Sequence, residues 1–183
     1  MNVSWKIAGS FLFGLILTGV VARPALAQSA ETAPVTLDIG YQYLHASAAG
    51  ATLSYPGGFD VAVAGTVAGP WSIVGDIGWS RHSNTGLGTN TNTDAFAYGA
   101  GLRWSAGNVA HAKLYAQMLV GGETDAVTYQ PTAVNVMLQP GVGVAAPLGR
   151  VGVYAQVDYR RVWTSIAQND VRVVAGVRLP LSR

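Results

Sequence analysis

The stretch from Trp71 to Ser105 constrains this chain most, because two of its segments alternate apolar with polar or small residues at a period of two. The first segment reads WSIVGDIGWSR and the second reads AFAYGAGLRWS. Such alternation is typical of β-strands with different surroundings on their two faces. Each apolar face has an aromatic residue near both ends, Trp71 and Trp79 in the first segment, Phe96 and Trp104 in the second. The stretch therefore predicts a long β-hairpin, and we expect the polar segment RHSNTGLGTNTNTD between its arms to be a loop.

The spacing of the aromatic residues fits a strand that crosses a lipid bilayer. Trp71 and Trp79 are separated by eight steps, which is about 26 Å along a strand. A strand tilted by about 40° then rises about 20 Å, which is comparable to the apolar belt of about 25 Å in a membrane-spanning barrel. Rings at both boundaries with aliphatic residues between them are typical of such strands.

The first 27 residues have the pattern of a secretory signal peptide. A positively charged start is followed by the apolar run Ile7–Ala22 and by Ala25-Leu26-Ala27, a small-x-small cleavage pattern. We expect cleavage after Ala27. An uncleaved membrane anchor is the alternative, which the short length of the apolar run disfavours. Residues 28–34 are then a short linker, and residues 35–183 form a single domain.

The composition excludes several classes of function. The chain has no cysteine, so it can form neither disulfides nor thiolate metal sites. Only 11% of its residues are charged, whereas soluble domains average about 25%. Removing the leader removes Lys6 and Arg23, which leaves equal numbers of acidic and basic residues. Without a cluster of Lys and Arg, no nucleic-acid partner is expected.

Six further segments alternate in the same way as the two arms of the hairpin. Connections after the second, fourth and sixth segments are short, whereas those after the first, third and fifth are longer and polar. This pattern predicts an all-β fold, an eight-stranded antiparallel up-and-down transmembrane β-barrel with its longer loops outside the cell. The eight predicted strands are residues 35–44, 59–67, 71–81, 95–105, 111–120, 134–144, 151–163 and 171–181. Pro140, within the sixth, predicts a bulge or a strand end because it removes one backbone donor.

The predicted strands assign different roles to their two faces. When residues are assigned alternately to the two faces of each strand, the apolar face carries no Asp, Glu, Lys or Arg. This is expected of a lipid-facing surface, because a Lys or Arg there would cost about 2 to 4 kcal/mol at the middle of the bilayer. A soluble lipocalin-like periplasmic ligand carrier is the alternative, with the apolar face inward; its outer surface would have unusually few charges. We expect an interior charge network of Asp38, Asp60, Asp76, Arg103, Lys113, Asp158, Arg160, Arg172 and Arg178. We expect membrane-interface aromatics at Tyr43, Phe59, Trp71, Trp79, Phe96, Trp104, Tyr159 and Trp163.

The motifs YGAGLRW, YPGGFDVAVAG and VDYRRVW, together with the signal peptide, resemble those of a known family. The chain is similar to the small outer-membrane proteins that consist of a single β-barrel domain, of the porin-like or opacity type. The resemblance implies a location in the outer membrane of a Gram-negative bacterium. It also implies that the partners are outer-membrane lipids, the assembly machinery and extracellular ligands bound through the loops, and that the chain is a monomer.

An eight-stranded barrel is just wide enough for side chains to fill it, so we expect a plugged interior and a structural or surface-interaction role, with a narrow porin as the alternative. His45-Ala46-Ser47 resembles part of the site of lipid A deacylase-type barrels, but the sequence places no acid beside it. We therefore expect no enzymatic activity. His82 and His111 lack further ligands at metal spacing, so no metal or other cofactor is expected.

Overall fold

The computed structural model describes residues 34–84, 91–109, 111–127, 133–165 and 168–181. The predicted signal peptide and residues 28–33 of the predicted linker lie outside the described residues. Within the described ranges the chain is entirely β-structure and turns. Its strands are β1 (Val35–Ala48), β2 (Ala51–Tyr55), β3 (Gly57–Ala68), β4 (Trp71–Asn84), β5 (Thr91–Val109), β6 (Ala112–Val127), β7 (Ala133–Leu148), β8 (Val151–Trp163) and β9 (Gln168–Pro180).

The strands form one closed antiparallel barrel. From β3 to β9 each strand pairs with the next, β3 also pairs with β1, and β1 pairs with β9 from Thr36↔Pro180 to Ala48↔Gln168. The backbone N–H of Leu181 also donates to the carbonyl of Val35 at 2.8 Å. The predicted eight-stranded antiparallel barrel is confirmed, with β2 as one additional strand.

Strand β2 replaces a predicted turn. Residues 45–57 were expected to form an irregular connection, but β1 continues to Ala48 and pairs with β2 from Leu44↔Tyr55 to Ala48↔Ala51. Ala49 and Gly50 have φ values of 50° and 79°. Positive φ at both central residues is typical of the two-residue turns that match the twist of a hairpin. The prediction is wrong here because a tight turn lets the backbone pair without an apolar pattern in the side chains.

Pro56 separates β2 from β3. Between the pairs Leu44↔Tyr55 and Tyr41↔Phe59, two residues of β1 lie opposite three residues, 56–58. This is the geometry of a β-bulge, where a proline costs little because its missing N–H has no ladder partner to lose. Strands β2 and β3 therefore follow one another along the same side of β1.

The predicted loops are shorter in the structure. Strands β4 and β5 stay paired up to Asn84↔Thr91, and β5 and β6 stay paired up to Thr93↔Val127. Strand β9 begins at Gln168, inside the predicted last loop. We call the end of the barrel with the β3–β4, β5–β6 and β7–β8 connections the turn end, and the opposite end the loop end. The strands thus extend further at the loop end than the sequence predicted.

Pro140 neither ends β7 nor shifts its register. The β7–β8 ladder has the same register on both sides of it, at Leu138↔Arg161 and at Gly141↔Asp158. No partners on β8 are assigned to Gln139 and Pro140. The expected bulge or strand end is therefore wrong, and the absent N–H coincides with a local gap in the ladder.

Candidate functional site: the barrel interior and the loop-end surface

Asp38 binds two arginines near the turn end of the interior. Arg178 donates from Nε and Nη2 to the two carboxylate oxygens at 2.6 and 2.7 Å, and Arg103 donates from Nη1 at 3.1 Å. Both guanidinium groups also lie over the ring of Tyr115, at 4.4 Å for Arg103 and 5.1 Å for Arg178. The carboxylate and the ring together separate two like charges.

Arg172 binds three carboxylates in the middle of the interior. It donates to Asp60 at 2.6 Å, to Asp76 at 2.9 and 3.1 Å, and to Asp158 at 2.7 Å. All four side chains are buried. These residues come from β3, β4, β8 and β9, so one guanidinium group connects opposite sides of the barrel wall.

Arg160 forms a third group nearer the loop end. It pairs with Glu123 and donates from Nε to Gln139 at 2.9 Å. Gln168 donates to the other carboxylate oxygen of Glu123 at 3.1 Å. Among the residues that the structure describes, Arg160 Nη2 and Gln139 Nε2 have no hydrogen-bond partner.

Glutamine and tyrosine side chains connect the turn-end group to the middle group. Gln117 accepts from Arg103 at 3.0 Å and lies 3.5 Å from Asp158. Gln156 accepts from Tyr115 at 2.9 Å and donates to Asp158 at 2.8 Å. A continuous polar network therefore runs between the two groups, and its members are satisfied mainly by one another.

The structure brings together most of the interior residues predicted from the sequence. Arg103 pairs with Asp38 as Arg178 does, and Arg172 pairs with three of the four predicted aspartates. Arg160 pairs instead with Glu123, which the sequence prediction placed in a loop. Lys113 is exposed at the turn end, makes no ion pair with a described residue, and lines a cavity of about 100 Å³ with Arg103 and Arg178.

Several buried interior residues lie outside the predicted charge network. Glu123 and Asp170 are fully buried, and Gln42, Gln117, Gln139 and Gln156 are 5% exposed or less. The signal for Glu123 was present, because the inward positions of β6 recur every second residue through Tyr115 and Gln117 and reach position 123. Toward the loop end the interior also contains two apolar clusters, one of Leu44, Ala46, Tyr55 and Ala95, and one of Ala97, Met137 and Val162 that lies at the level of the Arg160 group.

The outward face is apolar and has aromatic residues toward both ends. Trp71 and Trp104 are cross-strand partners at the turn end. At the loop end the rings of Phe59 and Trp79 lie 5.7 Å apart, and Phe96 is the partner of Trp79 on β5. The structure places all eight aromatic residues singled out in the sequence at outward positions, namely Tyr43, Phe59, Trp71, Trp79, Phe96, Trp104, Tyr159 and Trp163.

The expectation that the outward face carries no charge is wrong for three residues, Arg81, Asp94 and Arg161. Arg81 donates to both oxygens of Asp94, at 2.7 and 3.0 Å, and its guanidinium lies 5.0 Å from the Trp79 ring centroid. All three residues lie toward the loop end. There the strands extend beyond their predicted ends or past the last aliphatic residues of the outward face.

His45 and Ser47 do not form a hydrolase-like pair with an acid. His45 Nδ1 lies 3.0 Å from Ser54 Oγ, which also accepts a hydrogen bond from Tyr43 Oη at 3.0 Å. No described carboxylate hydrogen-bonds to His45. In the described ranges no group of three or more His, Asp or Glu side chains could hold a metal ion, and no helix is long and apolar enough to cross a membrane.

Comparison with known proteins gives one family and several structures of the same fold. The sequence profile of the family described as "Outer membrane protein beta-barrel domain" matches residues 13–179. No curated protein sequence matches significantly. The structure is similar to Neisserial surface protein A (TM-score 0.67, 12% identity, covering 79% of this chain and 96% of that one). It is also similar to Ail of Yersinia pestis (TM-score 0.57, 16% identity, covering 80% of this chain and 99% of that one). A third similar structure is OprG of Pseudomonas aeruginosa (TM-score 0.54, 8% identity, covering 83% of this chain and 97% of that one).

Proposed function

The chain belongs to the outer membrane protein β-barrel domain family, and from this premise we propose that it has a structural or surface-interaction role. In this proposal side chains close the barrel interior, and the loop end is the surface that recognises other molecules. The location of the chain is the bacterial outer membrane. The observation that carries the proposal is the placement of Arg172, which spans the interior between Asp60, Asp76 and Asp158. A permeant solute would have to displace this group and leave buried charges unpaired, at a cost of several kcal/mol.

The apolar clusters nearer the loop end support the same proposal. Leu44, Met137 and Val162 are almost completely buried inside the barrel. These apolar side chains fill space beside the buried ion pairs of Arg160 and Arg172, so a solute would have to displace both. The experiment is a swelling assay on vesicles that contain the purified full chain, with small sugars and amino acids as solutes. No swelling is expected above that of protein-free vesicles, and solute-dependent swelling would refute the closed interior.

The loop-end surface supports an interaction role. The β1–β2 hairpin and the extended β4–β5 pair project polar residues beyond the aromatic residues of the outward face. Ail, a protein of this fold, has been crystallised with the heparin analogue sucrose octasulfate, so a barrel of this kind can present a ligand-binding surface. Adhesion of cells that produce the chain to sulfated glycans should fall when residues 47–52 are replaced by an Asn-Gly turn. If cells with the variant adhered as well as cells with the wild-type chain, the β1–β2 hairpin would not be a recognition element.

We also propose that the chain is not an enzyme. His45, the histidine of the only motif that suggested hydrolysis, hydrogen-bonds to Ser54 and to no described carboxylate. A serine nucleophile activated by histidine normally requires a third group that orients the imidazole.

A further inference from the structure

Two arginines project from the outward face toward the loop end, and they differ in how their charge is balanced. Arg81 lies on β4, and Arg161 lies on β8 between the exposed side chains of Tyr159 and Trp163. The neighbours of Arg161 in the chain, Arg160 and Val162, are buried in the interior, which fixes Arg161 on the opposite face. A charged side chain on the lipid-facing side of a barrel requires a partner.

Arg81 has its partner within the protein. Asp94 accepts two parallel hydrogen bonds from it, and the guanidinium group also lies over the ring of Trp79. The bidentate geometry uses the strongest arrangement available to an arginine and a carboxylate. The positive charge of Arg81 is therefore already neutralised.

Arg161 has only a neutral partner. It donates from Nη1 to the side-chain oxygen of Asn169, which also accepts the hydroxyl of Tyr159, and it makes no other side-chain hydrogen bond or ion pair with a described residue. Of the acids whose side chains the structure describes, Asp94 alone faces outward, and the others are buried in the interior. Within that described set, no carboxylate is left to balance Arg161.

The surroundings of Arg161 define what could balance its charge. Asn169 is its cross-strand partner on β9, and Ser47 is the partner of Asn169 on β1, so polar side chains of three strands form one row. The neighbouring row toward the turn end contains Tyr159 and Val171, which are 46% and 43% exposed, and His45 on β1. A polar, cationic row beside exposed aromatic and aliphatic side chains is the arrangement found where a barrel meets the lipid headgroups.

We propose that Arg161, Asn169 and Ser47 form a binding site for the phosphate-bearing headgroup of a lipid in the outer leaflet. The guanidinium group supplies a planar pair of donors that matches two phosphate oxygens. Ser47 adds a hydroxyl donor, and the exposed side chains of Tyr159 and Val171 pack against the acyl chains. This inference depends on the outer-membrane location, and neither a closed interior nor ligand binding by the loop end is needed for it.

The test compares two lipids that differ only in the phosphate. Purified full chain in a non-ionic detergent is titrated with dipalmitoyl phosphatidic acid or with dipalmitoyl glycerol, and bound lipid is counted by native mass spectrometry. Wild-type protein should prefer the phosphatidic acid. Arg161→Gln should weaken that binding about tenfold and leave dipalmitoyl glycerol binding unchanged, since a hydrogen bond to a charged group contributes about 1.5 to 3 kcal/mol. Heat-modifiable gel mobility verifies that each variant is folded.

Arg81 provides the matched control. Arg81→Gln should leave phosphatidic acid binding within about twofold of wild type, because Asp94 already neutralises that arginine; Asp94→Asn should strengthen lipid binding by freeing it. Equal binding by wild type and Arg161→Gln, or an equal loss in Arg81→Gln, would overturn the proposal. Inorganic phosphate at millimolar concentration should not displace the lipid, and displacement would show a site for free phosphate instead.

Discussion

Asp38 and Arg178 are cross-strand partners at the seam where β1 closes the barrel against β9, and their side chains form a bidentate ion pair with distances of 2.6 and 2.7 Å. The first and last strands of the barrel are thus joined by a charge pair as well as by their backbone ladder. Because Arg103 binds the same carboxylate, Asp38 also separates two arginines.

Asp38→Asn should destabilise the barrel because it leaves Arg103 and Arg178 close together without a counter-charge. Removing one member of a buried charge group costs about 3 to 5 kcal/mol. The free energy of unfolding can be measured by urea titration of the chain folded into lipid vesicles. The variant Lys113→Gln at the same end removes a cation that has no described ion pair, and its stability should equal that of wild type. An Asp38→Asn variant as stable as wild type would contradict the role given to this carboxylate.

Arg172→Met should destabilise the chain by a similar amount, about 3 to 5 kcal/mol, because it leaves three buried carboxylates without a cation. Adding Asp76→Asn to this variant removes one of the unpaired charges and should restore part of the loss. The same urea titration measures both variants. If the double variant were less stable than Arg172→Met, repulsion among the carboxylates would not be the cause.

Gly121→Ala should also destabilise the barrel, by about 1 to 3 kcal/mol, because an added Cβ would overlap the backbone carbonyl oxygen of Tyr98. Gly75 is the matched position, since an added Cβ there has no neighbour within 4 Å and faces outward. Heat-modifiable mobility on gels should show a lower midpoint for Gly121→Ala and an unchanged one for Gly75→Ala. Equal midpoints would mean that the β5–β6 pair can move apart without cost.

Overproducing the chain should leave the acylation of lipid A unchanged, because His45 has no described acid partner. The measurement is mass spectrometry of lipid A from cells that overproduce wild-type chain and cells that overproduce His45→Ala. Identical lipid A profiles are expected. A loss of acyl chains that depends on His45 would contradict the non-enzymatic proposal.

Much of the barrel could be predicted from the sequence because the alternation of side chains is a direct consequence of strand geometry. The inward positions of Asp60, Asp76 and Arg172 follow from that alternation once a barrel is assumed. Their convergence on one arginine could not be predicted, since β3, β4 and β9 are brought together only by closure and by the register of the ladder.

The errors lie where the strands leave the apolar belt. Residues 45–52 and the loop-end parts of β4 and β5 have polar or small side chains, so an apolar pattern cannot reveal that their backbones are paired. Glu123 was also placed in a loop although it lies at an inward position of β6 and pairs with Arg160. Arg161 was missed on the outward face although it lies within the predicted strand, because it follows Val157, the last aliphatic residue on that face of β8.

Single-channel recording from the purified full chain in a planar lipid bilayer tests the closed interior most directly. Arg172 with its three aspartates, and the apolar residues nearer the loop end, should block ions, so the bilayer should show no steady, discrete conductance above its baseline. The Arg172→Met variant, once gel mobility shows that it is folded, serves as a comparison whose interior has lost its central ion pairs. A stable conductance from the wild-type chain, reproducible between preparations, would contradict the closed interior and favour a narrow porin.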